Sequence, residues 1–244
     1  MRDADEWKLR VELAAAFRLA ADFGWHESVA NHFSAAVSGD GKQFLLNPRW
    51  KHFATMRASE LLRLNADDDS TMQREDAPDP SAWCIHGNLH KRVAHARILL
   101  HCHPPYTTAL AALADPTLYP ICQNTARFFN RVAVDTGFDG IADNDAEGQR
   151  LAASFGNRHV MMMGNHGITV AAPTVAEAFD ELYFFERAAK ALMLAYSSGR
   201  PLAILSDEVA EKTAAGWDDY QGMAIAHFEQ LKAMLLAKDA SFAS

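Results

Sequence analysis

His101-Cys102-His103 closes an apolar run that begins at Arg97, and Pro104-Pro105 follows it directly. Such a run suits a buried strand, and alternate strand residues share a face. Both imidazoles can therefore reach one ion, while Cys102 turns into packing. Two prolines end the strand ladder and place the pair at the rim of a sheet. A third histidine, His166, lies in Met162-Met163-Gly164-Asn165-His166-Gly167-Ile168, a glycine-flanked turn between two apolar strands. Three neutral imidazoles leave a divalent metal its full charge and an open position, the arrangement of a catalytic rather than a structural site. Nitrogen ligands suit zinc, manganese, cobalt or iron. The expectation is one divalent ion per subunit, zinc ahead of the others.

His86 and His90 lie four apart on an expected helix and so share one face. His86, between Ile85 and Gly87, is expected to serve as a fourth ligand or as the proton-transfer group. His90, beside Lys91 and Arg92, is expected to be simply exposed.

The elements that must position these residues follow from periodicity and punctuation. Leu9, Leu13, Phe17 and Ala20 predict a helix over residues 6–23, stopped at Gly24. Strands are predicted over residues 28–37 and 43–46, around a turn at Ser38-Gly39-Asp40-Gly41. Residues 57–64 read as a short helix and a strand edge, and residues 65–80 as an exposed acidic loop. Helices follow over 81–93, 106–113 and 143–155. Strands over 159–163 and 168–171 flank the His166 turn. Thr174 and Glu177 form a capping-box pattern ahead of a long helix with a buried stripe from Val175 to Tyr196. A last helix covers 221–236. Alternating helices and short strands predict an α/β (α+β) protein, a central sheet covered by helices, in a single domain over residues 1–244.

A length of 244 residues, 49% of them hydrophobic, suffices for one sizeable core. The net charge of −8 gives no electrostatic reason to expect nucleic acid or an anionic membrane as partner. No apolar run has membrane-spanning length. The charged start Met1-Arg2-Asp3-Ala4-Asp5-Glu6 does not read as a signal peptide. Three widely spaced cysteines, Cys84, Cys102 and Cys122, fit a reducing cytoplasm.

Taken together, these motifs resemble the class II aldolase/adducin head-domain family over about residues 7–200. The resemblance rests on Ile85-His86, on His101-Cys102-His103-Pro104, on Gly164-Asn165-His166-Gly167, and on Thr174-Val175-Ala176-Glu177-Ala178 with Glu186-Arg187-Ala188. Gln123-Asn124, Arg131-Val132-Ala133 and the Asp139-Gly140-Ile141-Ala142 turn resemble its adducin-related branch. It implies a mostly antiparallel sheet between helical layers, a homotetramer, a small-molecule substrate, and a metal that stabilises an enediolate or enolate as a carbon–carbon bond breaks.

Three departures matter. The family's acid/base glutamate precedes the helix histidine in a Ser-Ser-Glu-Trp-like stretch; here that stretch is Pro80-Ser81-Ala82-Trp83. The Gly-Asn-x-Ser loop appears as Asn31-His32-Phe33-Ser34, and the Thr-Pro-Ser/Thr-Gly loop as Asn47-Pro48-Arg49-Trp50-Lys51. Loss of small phosphate contacts argues against a sugar phosphate. Asn31 and His32 are expected to line the pocket, and Arg49, with Lys51, to meet a carboxylate or other anion or simply to lie solvated at the surface. The expected activity is lysis of a small hydroxy- or oxo-acid by retro-aldol cleavage or decarboxylation; Ala82 shifts weight to decarboxylation, which needs less of a dedicated base. Alternatives are a non-catalytic adducin-like scaffold and a metal-dependent isomerase or dehydratase.

Overall fold

The computed structural model describes residues 3–138 and 140–244. Asp139, in the turn compared above with the adducin-related branch, lies outside them, as do Met1 and Arg2.

Helix α1 (Asp3–Asp22) leads into β1 (His32–Ala36) and β2 (Gln43–Leu46). β3 (Leu62–Asn65), α2 (Pro80–Arg92), β4 (Ile98–Cys102), α3 (Pro105–Ala111), α4 (Gln123–Ala126) and β5 (Val132–Asp135) follow. The rest is α5 (Asp145–Phe155), β6 (Val160–Met163), β7 (Gly167–Ala172), α6 (Val175–Ser197), α7 (Asp207–Asp218) and α8 (Met223–Lys238). The strands form one sheet in the order β3-β2-β1-β4-β7-β6-β5. Every pairing is antiparallel except that of β5 with β6. The architecture is the mixed α/β one predicted.

Strand parity sorts the core into two layers. Phe33, Leu100, Val170 and Met162 face α1 and α6. Leu99, Met161, Met163 and Ala171 face α2 and α5 with Ile85, Leu89, Leu151 and Phe155. By the same alternation His32, Ser34, His101 and Thr169 stand on the α2 side. Cross-strand register puts His32 opposite His101, and His101 opposite Thr169, in one row. Cys102 points the other way and is fully buried; burial pushes its thiol well above the usual range.

The predicted elements recur with shifted ends. The first strand starts at His32 rather than residue 28, because Ser28 sits in a left-handed turn at φ 49°. Thr174 caps α6 by accepting from the Glu177 amide. Three elements were not predicted. β5 is a short parallel edge strand, α4 has four residues, and α7 starts at an Ser206 cap inside a stretch without a strong apolar stripe. Among the described residues no helix is long and apolar enough to cross a membrane.

Candidate metal centre

The turn between β6 and β7 aims His166 at the end of β4. Gly164 donates to the Asp135 carbonyl, Asn165 takes the left-handed conformation at φ 54°, and its amide bonds Ala111 O at 3.0 Å. Gly167 runs so close to β4 that an added Cβ would lie 2.7 Å from Cys102 O and 2.6 Å from His103 Cδ2. A Gly167→Ala variant is therefore expected to lose roughly 1–3 kcal/mol of stability through overpacking and to displace His103. Urea denaturation checks this; an unchanged midpoint would contradict the close approach.

His103 is held from two sides. Its loop enters α3, whose first amides, Tyr106 N and Thr107 N, are accepted by Glu186 of α6 at 3.0 and 2.8 Å. Thr107 Oγ1 also donates to Glu186, at 2.7 Å. A carboxylate suits that position because it satisfies amides orphaned at a helix start.

The ring nitrogens of His101, His103 and His166 lie within 4.8 Å of one another. Their outer partners decide which nitrogens face inward. His103 Nδ1 lies 2.7 Å from Glu27 Oε2 and must donate to it. His101 Nδ1 lies 3.1 Å from Thr169 Oγ1, whose own proton goes to Met163 Sδ at 3.4 Å. Both assignments leave Nε2 as a lone pair, and the two Nε2 atoms are 3.3 Å apart. Two lone pairs so placed repel unless a cation or proton lies between them. Burial opposes the proton: it pushes His101 well below the usual imidazole range. His166 falls to about 4, through burial first and then the neighbouring His103. The residues fit a divalent cation.

A second set of polar groups runs inward from this cluster. His32 stacks on His101, with ring centroids 4.7 Å apart and planes 23° apart. His32 Nδ1 meets His86 Nε2 at 2.8 Å. His86 Nδ1 meets Ser34 Oγ at 2.5 Å, and Ser34 Oγ meets His90 Nε2 at 2.7 Å. His90 Nδ1 ends the chain on Ala96 O at 2.9 Å. All three histidines are buried, and burial lowers each one's pKa: His32 and His90 to about 3, and His86 well below the usual imidazole range.

This corrects the exposure predicted for His90. Sharing a helix face with His86 turns it toward the sheet, where it is 3% exposed and stacks on Phe44 at 4.6 Å. Only Lys91 and Arg92 of that turn stay outside. His86 stands behind His32 with both nitrogens engaged, so at the cavity wall its place is taken by His32.

The cluster opens into a cavity of about 580 Å³, within the range of small-molecule sites. Its wall includes His32, His101, His103 and His166, the carboxylates Glu27 and Asp79, Ser81, and an apolar mouth of Trp50, Phe138 and Ile141. Among the described residues no lysine or arginine lines it. A larger cavity lies elsewhere, between Arg127, Asp180 and Trp217, and holds none of these histidines.

Asn31 and Arg49 are not on the wall. Asn31 accepts from the Glu27 amide at 2.6 Å, and its buried Nδ2 has no partner. Arg49 stacks 4.2 Å over Trp50 and lies 3.7 Å from Asp79. Lys51 pairs with Glu60 at 2.6 Å. Ala82, where the aldolase glutamate would stand, packs with Phe44, Leu46 and Leu64. Sequence reasoning missed Glu27 and Asp79. Asp79 does carry a local signal, since an Asp before Pro80 reads as a helix cap; its carboxylate accepts from Ser81 N and Oγ. Nothing local marked Glu27.

The model of the class II aldolase and adducin N-terminal domain matches residues 11–193, so the chain belongs to that family. Among its relatives is the "Putative aldolase class 2 protein" of Caulobacter vibrioides, 31% identical over 206 residues, spanning 84% of this chain and 79% of the relative. "Decarboxylase NovR" of Streptomyces niveus is 25% identical over 221 residues, spanning 87% and 81%. The crystal structure of an aldolase II superfamily protein from Pseudomonas syringae superposes with a TM-score of 0.88 at 30% identity, covering 98% of this chain and 96% of that one.

Proposed function

We propose that this protein is a metal-dependent carbon–carbon lyase acting on a small hydroxy- or oxo-acid, by decarboxylation or retro-aldol cleavage. The observation that carries the reading is the convergence of ring nitrogens from His101, His103 and His166 within 4.8 Å of one another. These three would hold one divalent ion, zinc first, whose Lewis acidity stabilises the enolate left when the bond breaks.

The chain's own groups set the rest. With no cationic side chain on the wall, a phosphate would find no charged side-chain partner there beyond the proposed ion. A carboxylate or hydroxyl directed to the histidine cluster fits better. Arg49, tied to Asp79 and Trp50, belongs to the mouth rather than the floor. Asn31, buried off the wall, accepts from the Glu27 amide and so positions the Glu27 segment rather than the substrate. Proton handling, which Ala82 cannot supply, falls to Asp79 on the wall or to His86 from behind His32; His32 itself, held neutral by burial, faces the cavity as an acceptor. Trp50, Phe138 and Ile141 give the mouth an exposed apolar rim. The similarity to a protein named as a decarboxylase supports the decarboxylation branch. The reading includes assembly into a homo-oligomer, the family's tetramer.

The test is metal analysis followed by a screen of hydroxy- and oxo-acids for release of carbon dioxide or aldehyde. About one ion per chain and turnover that is lost on chelation are expected. A folded protein that takes up no divalent metal would overturn the proposal.

A further inference from the structure

We propose that the chain Ala96–His90–Ser34–His86 locks His32 in one tautomer and thereby makes His32 Nε2 a fixed hydrogen-bond acceptor on the cavity wall, selecting hydroxy-acids over oxo-acids. The selection rests on the lyase reading above; the tautomer does not.

The lock follows from counting protons along the chain. Ala96 O can only accept, so His90 Nδ1 carries the hydrogen. His90 is buried and neutral, which leaves Nε2 bare, and Ser34 must give its one hydroxyl proton to it. Ser34 Oγ can then only accept from His86, so His86 Nδ1 is protonated and His86 Nε2 is bare. His32 must therefore donate from Nδ1 to His86. Each link leaves the next no choice, and a backbone carbonyl sets the direction of all of them.

What remains on His32 is Nε2, a lone pair on a ring that lines the cavity and has no other hydrogen-bond partner among the described residues. Stacking on His101 and strand pairing opposite it fix the ring beside the histidine cluster. A bare nitrogen at that place accepts a hydrogen bond from a substrate hydroxyl. It meets the lone pairs of a carbonyl oxygen with repulsion. An acid carrying a hydroxyl next to its carboxylate satisfies it; the corresponding oxo-acid leaves it unmatched. Ser34, His86 and His90 touch no substrate and are positioning residues for His32.

Long-range ¹H–¹⁵N correlation spectra of the metal-free full chain test the lock. His32 is expected to show a protonated Nδ1 and an unprotonated Nε2, and a protonated Nε2 overturns the proposal. Ser34→Ala breaks the chain and is expected to give His32 a mixture of tautomers; a purely structural serine would leave the tautomer unchanged. If that variant does not fold, the wild-type spectrum still decides. Titration of the zinc-loaded protein with lactate and with pyruvate is expected to favour lactate by roughly tenfold, about one good hydrogen bond. The preference should vanish in Ser34→Ala, and equal binding in the wild type overturns the selection. Failure to take up zinc would count against the lyase reading alone, since the spectra need no metal.

Discussion

Replacing His101 and His103 together by alanine is expected to abolish stoichiometric uptake of divalent metal while leaving the sheet intact. Two of the three proposed nitrogen ligands disappear, and a lone imidazole at His166 does not hold an ion. The loss should far exceed the ~10–100-fold typical of removing one outer partner of a ligand. Glu27→Gln, which keeps the contact to His103 but removes its charge, should fall in that smaller range. The sheet should survive because its strands pair through backbone bonds that neither ring makes, although loss of the buried His101 ring costs some stability. Equilibrium dialysis with elemental analysis, alongside circular dichroism, separates the effects. Metal retained at wild-type affinity would show that these side chains are not the ligands.

The second large effect is on acid stability. In the metal-free protein His32 and His90 titrate near 3, well below the ~6.5 of an exposed histidine. Between those values the unfolded chain binds more protons than the folded one. Their contribution is thus fully present above about pH 7 and lost as pH falls from about 6.5 toward 3. Each such histidine costs about 1.4 kcal/mol per pH unit inside that window. His86 and His101, shifted in the same direction by burial, add to the slope. Over the roughly 1.5 units from pH 6.5 to pH 5 the two groups together cost about 4 kcal/mol, a large share of a total stability of about 5–15 kcal/mol. Urea midpoints measured from pH 8 to pH 5 should fall steeply below pH 6.5. His90→Gln, which still offers Ser34 an acceptor, should flatten the slope by about one proton. A midpoint flat across this range would mean that the buried histidines are not held neutral.

Much of the centre was legible locally. A two-residue period predicts His101 and His103 on one side, and the two do converge although β4 ends at Cys102 and His103 lies just beyond it; glycines on both sides of Asn165-His166 announce a tight turn. The helix carrying His86 and His90 was equally plain, because four residues make one turn. Its orientation was not. A shared face says nothing about whether it meets solvent or sheet, and basic neighbours drew His90 outward on paper. Short-range pattern left open whether Arg49 meets an anion or solvent; in the fold it stacks on Trp50 and lies 3.7 Å from Asp79.

Residue order by itself therefore determined the family, the mixed sheet and the three candidate ligands, since each depends on spacings of two to four residues or on turn chemistry. Tertiary structure alone decided which lone pairs converge and which group stands at the cavity wall. Glu27 reaches His103 from 76 residues away, and Ser34 joins histidines 52 and 56 residues distant. Hydrogen-bond direction is a property of such closed long-range contacts, so the state of His32 exists only once strand register and helix packing have brought its four partners into line.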